Sequence, residues 1–194
     1  LGYDVNECAF YHRKFDIEEI THEEWCSLTR DKFRRKGLTD RQLDKISNSI
    51  ALVPGTRKTL LKLHKAGIRL FILSGSIRQI IRRVLGRTVA LFEDIQANEF
   101  IFDDDGVLLE IRGTPYDFKG KATYLKKLMR ENHVSPLNVL YVGNSNNDYW
   151  ASHSGARTLC VNPKSTDFND TDKWTYCIRR MEHLSKILEY TRPQ

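Results

Sequence analysis

Residues 138–148, NVLYVGNSNND, constrain the fold of this chain more than any other stretch. Val139, Leu140, Tyr141 and Val142 form an apolar run without the alternation of a half-exposed strand. Such a run suits a strand covered on both faces of a parallel sheet. Gly143 breaks the run, and small or polar side chains follow as far as Asp148. In open α/β sheets, ligands bind just beyond the carboxyl ends of the strands, so this polar turn is a site candidate. Ser145 and Asn146 are equally good helix caps, and the segment alone fits either role.

The neighbouring segments supply an α/β context. Residues 1–50 carry helical spacing and helix punctuation. Thr21 with Glu24 reads as a capping box, Gly37 as a stop, and Thr39 or Asp40 as the next cap. At Pro54-Gly55 the character changes. An amphipathic helix from Thr56 to Lys65 is predicted, then a buried strand over 68–73 (IRLFIL) that ends at Ser74-Gly75-Ser76, then a helix over 77–85. Residues 97–111 read as a β-hairpin around Asp104-Asp105-Gly106, because Asp-Gly between apolar runs is a strong hairpin signal. Beyond it come a helix over 122–132 that starts near Lys119 and Lys121, the strand at 139–142, short strands at 158–161 and 174–178, and a closing helix over 181–190. Strands alternating with helices predict an α/β fold, a Rossmann-like and mainly parallel sheet flanked by helices. Residues 1–52 are expected to form a small helical segment, and residues 53–194 the α/β core with its β-hairpin.

Bulk properties narrow the function classes. The 194 residues fit one domain of ordinary size, with 40% apolar residues for a core. No apolar run approaches the length of a membrane span, and no signal peptide is visible. Four scattered cysteines without CxxC spacing point to reduced thiols and a cytoplasmic setting. The net charge of +6 suits an anionic ligand. Its basic residues are dispersed and carry no nucleic-acid signature, so nucleic acid is not an expected partner.

Three segments then stand together in order: LFILSGS, FKGKA and VLYVGNSNND. The set resembles the second, third and fourth motifs of the haloacid dehalogenase superfamily, in particular its phosphoserine-phosphatase-like branch. PGTRKTLLKLHKAGI, the ANEFIFDDDGVL hairpin and SGARTLCVNP extend the resemblance over most of residues 50–165. It implies a magnesium-dependent phosphatase acting on a small phosphorylated substrate, with residues 1–52 as a cap. Ser74 and the Gly75 N–H at a helix start would hydrogen-bond a phosphoryl oxygen, and Lys121 would balance the charges. Asp148 would hold that lysine or orient the metal shell, with Asn147 nearby on the phosphate side. Asn144 and Asp148 are the implied metal residues. Read without the resemblance, Ser74 is a cap, Lys121 a surface cation and Asp148 a helix-start charge.

Two departures bear on the chemistry. Asn144 stands where the family usually has a magnesium-binding Asp, and an amide oxygen ligates magnesium more weakly than a carboxylate. The first motif, DxDxT, which supplies nucleophile and general acid, is expected upstream of Leu1. Within the chain, Asp4 has too few residues before it for a central strand. FIFDDDGVL would offer Asp103 and Asp105, but it follows the second motif and is accounted for by the hairpin. A different class of reading is a catalytically inactive relative that binds a phosphorylated ligand or a protein.

Overall fold

A computed structural model describes residues 4–163 and 173–192. They fall into two compact units, the first taking in residues 4–51, 76–86 and 97–114, the second residues 52–75, 87–96, 115–163 and 173–192.

In the first unit, α1 (Val5–Asp16), α2 (His22–Arg35) and α3 (Asp40–Ser49) follow the punctuation read from the sequence. Thr21 and Glu24 form the capping box, and Thr39 forms a second one with Gln42. Asp4 is the N-cap of α1, its carboxylate accepting from the Asn6 N–H, so it does not end a strand. The hairpin is also present. It pairs β2 (Phe92–Phe102) with β3 (Leu108–Arg112) in antiparallel register, Phe100 opposite Ile111. Asp103 closes its turn, accepting from the Val107 N–H at 2.8 Å. That is the work of a turn residue.

The hairpin belongs to the core of this unit. Phe100, Leu108 and Ile111 pack with Cys26 and Phe33 of α2 and with Leu38 and Leu43. Leu43 and Leu108 are fully buried, and each such side chain contributes about 1.5–3 kcal/mol. The expected contiguous segment 1–52 is therefore joined in this unit by the hairpin and by α5 (Arg78–Leu85). Arg83 of α5 ties to α3, 2.6 Å from Asp40 and 2.9 Å from Asp44.

The second unit holds α4 (Thr56–Lys65), α6 (Gly120–Glu131), the short α7 (Asn146–Tyr149) and a parallel sheet. In that sheet β4 (Leu140–Gly143), β5 (Arg157–Val161) and β6 (Tyr176–Ile178) lie in the order β4-β5-β6. Leu140 pairs with Arg157 and Leu159 with Tyr176. Leu125 and Met129 of α6 pack with Tyr141, Ala151, Cys160 and Trp174 beneath it. The expected closing helix is a 3-10 turn over Leu184–Tyr190, anchored where the Leu184 N–H donates to the Pro54 carbonyl.

The strand β1 (Leu70–Ile77) heads a separate sheet of order β1-β2-β3. It runs past the expected end: Ser74 and Gly75 lie within the strand, and α5 begins only at Arg78. The two three-stranded sheets thus end on β1 and on β4. Within the second unit these strands meet through a side chain, the Tyr141 hydroxyl lying 3.4 Å from the Leu73 carbonyl oxygen. No described helix is long and apolar enough to cross a membrane.

Candidate active site

The site grows from the end of β4. Gly143 is followed at once by a turn that brings Asp148 back over the strand end. A Cβ on Gly143 would stand 2.4 Å from the Asp148 Cβ, so only glycine permits this approach. Asp148 Oδ2 accepts from the Asn144 N–H at 3.0 Å, the Ser145 N–H at 3.2 Å and the Ser145 hydroxyl at 3.0 Å. Its Oδ1 accepts from Lys121 Nζ and from the Tyr141 hydroxyl, both at 2.7 Å. An ionised carboxylate offers about four lone-pair directions. Five donors occupy this one, which fits the lysine-holding role better than a metal ligand.

Lys121 reaches this point from the first turn of α6. Its side chain is 2% exposed, so the surface-cation alternative is ruled out. Lys119, the other lysine of FKGKA, behaves differently: it is exposed, with its ammonium over the Trp150 ring. The turn before α6 is tight. Phe118 has a left-handed φ of 46°, and a Cβ on Gly120 would meet the Pro115 carbonyl oxygen at 2.2 Å.

Burial is the largest influence on Asp148 and works to raise its pKa. The charge and hydrogen bond of Lys121, with the Asn144 N–H and Tyr141, outweigh it and hold the carboxyl below its ordinary value. Tyr141 moves the other way. Burial first, then the Asp148 charge and hydrogen bond, push the phenol well above its usual range. Tyr141 is therefore a neutral donor that helps keep the carboxylate ionised.

A second carboxylate, which the sequence reading overlooked, completes the cluster. Asp117 is 7% exposed at its side chain, and its Oδ1 lies 3.8 Å from Lys121 Nζ. The same oxygen accepts from Asn147 Nδ2 at 2.9 Å, while Asn147 Oδ1 accepts from the Phe118 N–H at 3.1 Å. On its other side Asp117 abuts Gly75: a Cβ there would stand 2.3 Å from Asp117 Oδ2. Gly75, Lys121, Asn147 and Asp148 are thus brought together, with Ser74 one residue, about 3.8 Å in Cα spacing, from Gly75. Two details are corrected. Ser74 is not a helix cap, and Gly75 presents no helix-start N–H, because the chain stays extended to Ile77.

The donor set does not by itself suit magnesium. Asn144 is exposed at the strand end and offers one amide oxygen. Among the described residues no three His, Cys, Asp or Glu side chains gather as a metal set. Two buried carboxylates around one ammonium leave the cluster one negative charge in excess, which favours a nearby cation.

A chain with this fold and this ordered strand-end site belongs to a known class. Residues 17–152 match the haloacid dehalogenase-like hydrolase family, and the chain is a member of it. It is 28% identical over 116 residues to a phosphoserine phosphatase of Archaeoglobus fulgidus, a match covering 58% of this chain and 32% of that protein. To phosphoserine phosphatase SerB2 of Mycobacterium tuberculosis it is 31% identical over 123 residues, covering 63% of this chain and 29% of that one. The matches thus span about a third of the length of these curated relatives. A solved structure of a phospho-aspartyl intermediate analogue of phosphoserine phosphatase superposes with a TM-score of 0.72 at 20% identity, covering 96% of this chain and 86% of that one. That likeness shows the shared α/β fold.

Proposed function

We propose that this protein is a phosphomonoester phosphatase that works through an aspartyl-phosphate on an Asp outside residues 1–194. The observation carrying the reading is the buried Lys121 ammonium, held at the end of β4 and flanked by Asp117, which abuts Gly75 of β1. Family membership and the phosphoserine phosphatase relatives support it. So does the division of the sheet: β1 and β4 each end a sheet and meet through Tyr141. In this reading the nucleophile strand adjoins these two.

In this reading the Ser74 hydroxyl and Gly75 N–H donate to a phosphoryl oxygen. Lys121 stabilises the charge that the phosphoryl oxygens carry in transfer. Asp148 and Tyr141 hold the lysine in place, and Asn147 flanks the phosphate. Magnesium is proposed as the cofactor, and when bound it would supply positive charge to offset that of the phosphoryl group. Within this chain Asn144 would hold it, whereas Asp148, proposed beside it from the motif, has its lone pairs engaged. The substrate is proposed to be a small phosphorylated molecule in the cytoplasm, a setting that suits four scattered cysteines without CxxC spacing.

Turnover of a panel of small phosphomonoesters by the natural protein, with magnesium and with a chelator, tests this. Hydrolysis lost on Lys121→Ala and on chelation supports it; absence of turnover across the panel refutes it.

A second reading has its own observation. Asn144 replaces the usual carboxylate at an exposed strand end, which suits a non-catalytic relative that binds a phosphorylated ligand. Binding of inorganic phosphate that depends on Lys121, without turnover, would favour it.

A further inference from the structure

We propose that Asp117 is a positioning residue of this site, clasping Asn147 and the Gly75 backbone of β1 around Lys121. The inference rests on the phosphate-site reading of Gly75, Lys121 and Asn147 given above.

A buried carboxylate is costly unless it is paired and hydrogen-bonded. Asp148 already neutralises Lys121 at 2.7 Å, so charge balance does not call for a second acid. A plain turn cap would need only the bond from the Phe118 N–H to Asp117 Oδ1 at 2.9 Å. Asp117 does more than this on three sides. Its Oδ1 takes the Asn147 amide at 2.9 Å, and Asn147 answers by accepting from Phe118 at 3.1 Å, so the two loops are held by reciprocal bonds. The same oxygen lies 3.8 Å from Lys121 Nζ, which Asp148 also holds at 2.7 Å. Oδ2 lies against the Gly75 backbone so closely that no Cβ fits between them.

The consequence is geometric. Asn147 and Asp148 are adjacent in α7, Asp117 and Lys121 are one helical turn apart, and Gly75 lies on β1. One carboxylate therefore sets the side-chain amide of Asn147, the direction of the lysine and the position of the Gly75 backbone. Positioning of this kind acts on the transition state more than on ground-state binding.

The test has two arms. In the first, the side-chain amide resonances of Asn147 are followed by NMR. The clasp gives them slow exchange in the wild type, retained in Asp117→Asn and lost in Asp117→Ala; resonances that do not respond to Asp117→Ala overturn the proposal. If the alanine variant does not fold, Asp117→Ser keeps an oxygen for the Phe118 N–H without the reach to Asn147, and reads the same way. In the second arm, steady-state kinetics on a hydrolysed phosphomonoester show kcat about tenfold lower in Asp117→Ala, with KM within about twofold and most of kcat restored in Asp117→Asn. A loss confined to KM, or none, overturns it. If the wild type hydrolyses nothing while the Asn147 amide still responds, the phosphatase reading fails and the clasp stands.

Discussion

Lys121 Nζ and Asp148 Oδ1 stand 2.7 Å apart, with side-chain exposures of 2% and 15%. Breaking a buried pair from one side leaves a charge in low dielectric, which destabilises by about 3–5 kcal/mol. Lys121→Met strands two carboxylates, Asp148 and Asp117, so it is expected to lie at the upper end. Asp148→Asn strands one cation that still has Asp117 at 3.8 Å, so it lies at the lower end. Urea unfolding of the two variants measures the order, and a coupling energy near zero in the double mutant would contradict the pairing.

Gly75→Ala introduces a Cβ into the space held by Asp117 Oδ2. Overpacking of this kind costs about 1–3 kcal/mol. Truncating the obstacle should remove most of that cost, so Gly75→Ala is nearly neutral in an Asp117→Ala background. Thermal unfolding of the two singles and the double closes the cycle; strictly additive effects would mean that the two residues do not touch.

The pH dependence follows from opposite shifts on two neighbours. Asp148 has a depressed pKa in the folded state, so its stabilisation is complete above the unfolded value, about 3.9, and is lost as pH falls through the lower folded value. Tyr141 has a raised pKa, so its contribution is complete below the unfolded value, about 10, and is lost as pH rises beyond it. Tyr141→Phe should therefore flatten the alkaline limb of the stability profile. Denaturant midpoints across both limbs measure this, and an unchanged alkaline limb would speak against the Tyr141–Asp148 bond.

Asp103 and Asp105 offer a control. Asp103 caps the Val107 N–H in the hairpin turn, so Asp103→Ala should cost about 1 kcal/mol in unfolding experiments. Asp105→Asn should change stability by no more than about 0.5 kcal/mol, as for an exposed turn residue. Neither substitution should alter the binding of inorganic phosphate. Loss of phosphate binding in either would restore FDDDG as a chemical motif.

The sequence made some of this legible and hid the rest for physical reasons. Helix starts are local events, so Thr21 with Glu24 could be read directly. The Asp-Gly turn announced the hairpin in the same way, but its packing against α2 depends on which residues meet in space, and periodicity says nothing of that. Lys121 and Asp148 were visible only through motif order, since either alone reads as a surface charge. Ser74-Gly75-Ser76 looked like a strand end because small polar residues usually mark turns; the strand instead continues to Ile77. Tyr141 was read as one more apolar strand residue, and its hydroxyl became relevant only once Asp148 folded back over Gly143. Asp117 was missed although one signal was available: it stands four residues before Lys121 at a helix start, a spacing that places the two side chains together.

The measurement that bears most directly on the central claim is magnesium-dependent hydrolysis of small phosphomonoesters by the natural protein, compared with its Lys121→Ala and Asp148→Asn variants. The expected result is turnover in the wild type that falls by two or more orders of magnitude in Lys121→Ala, about 2.7 kcal/mol or more of lost transition-state stabilisation, and falls less steeply in Asp148→Asn. Turnover that persists unchanged in both variants, or none in the wild type with any phosphomonoester, would contradict it.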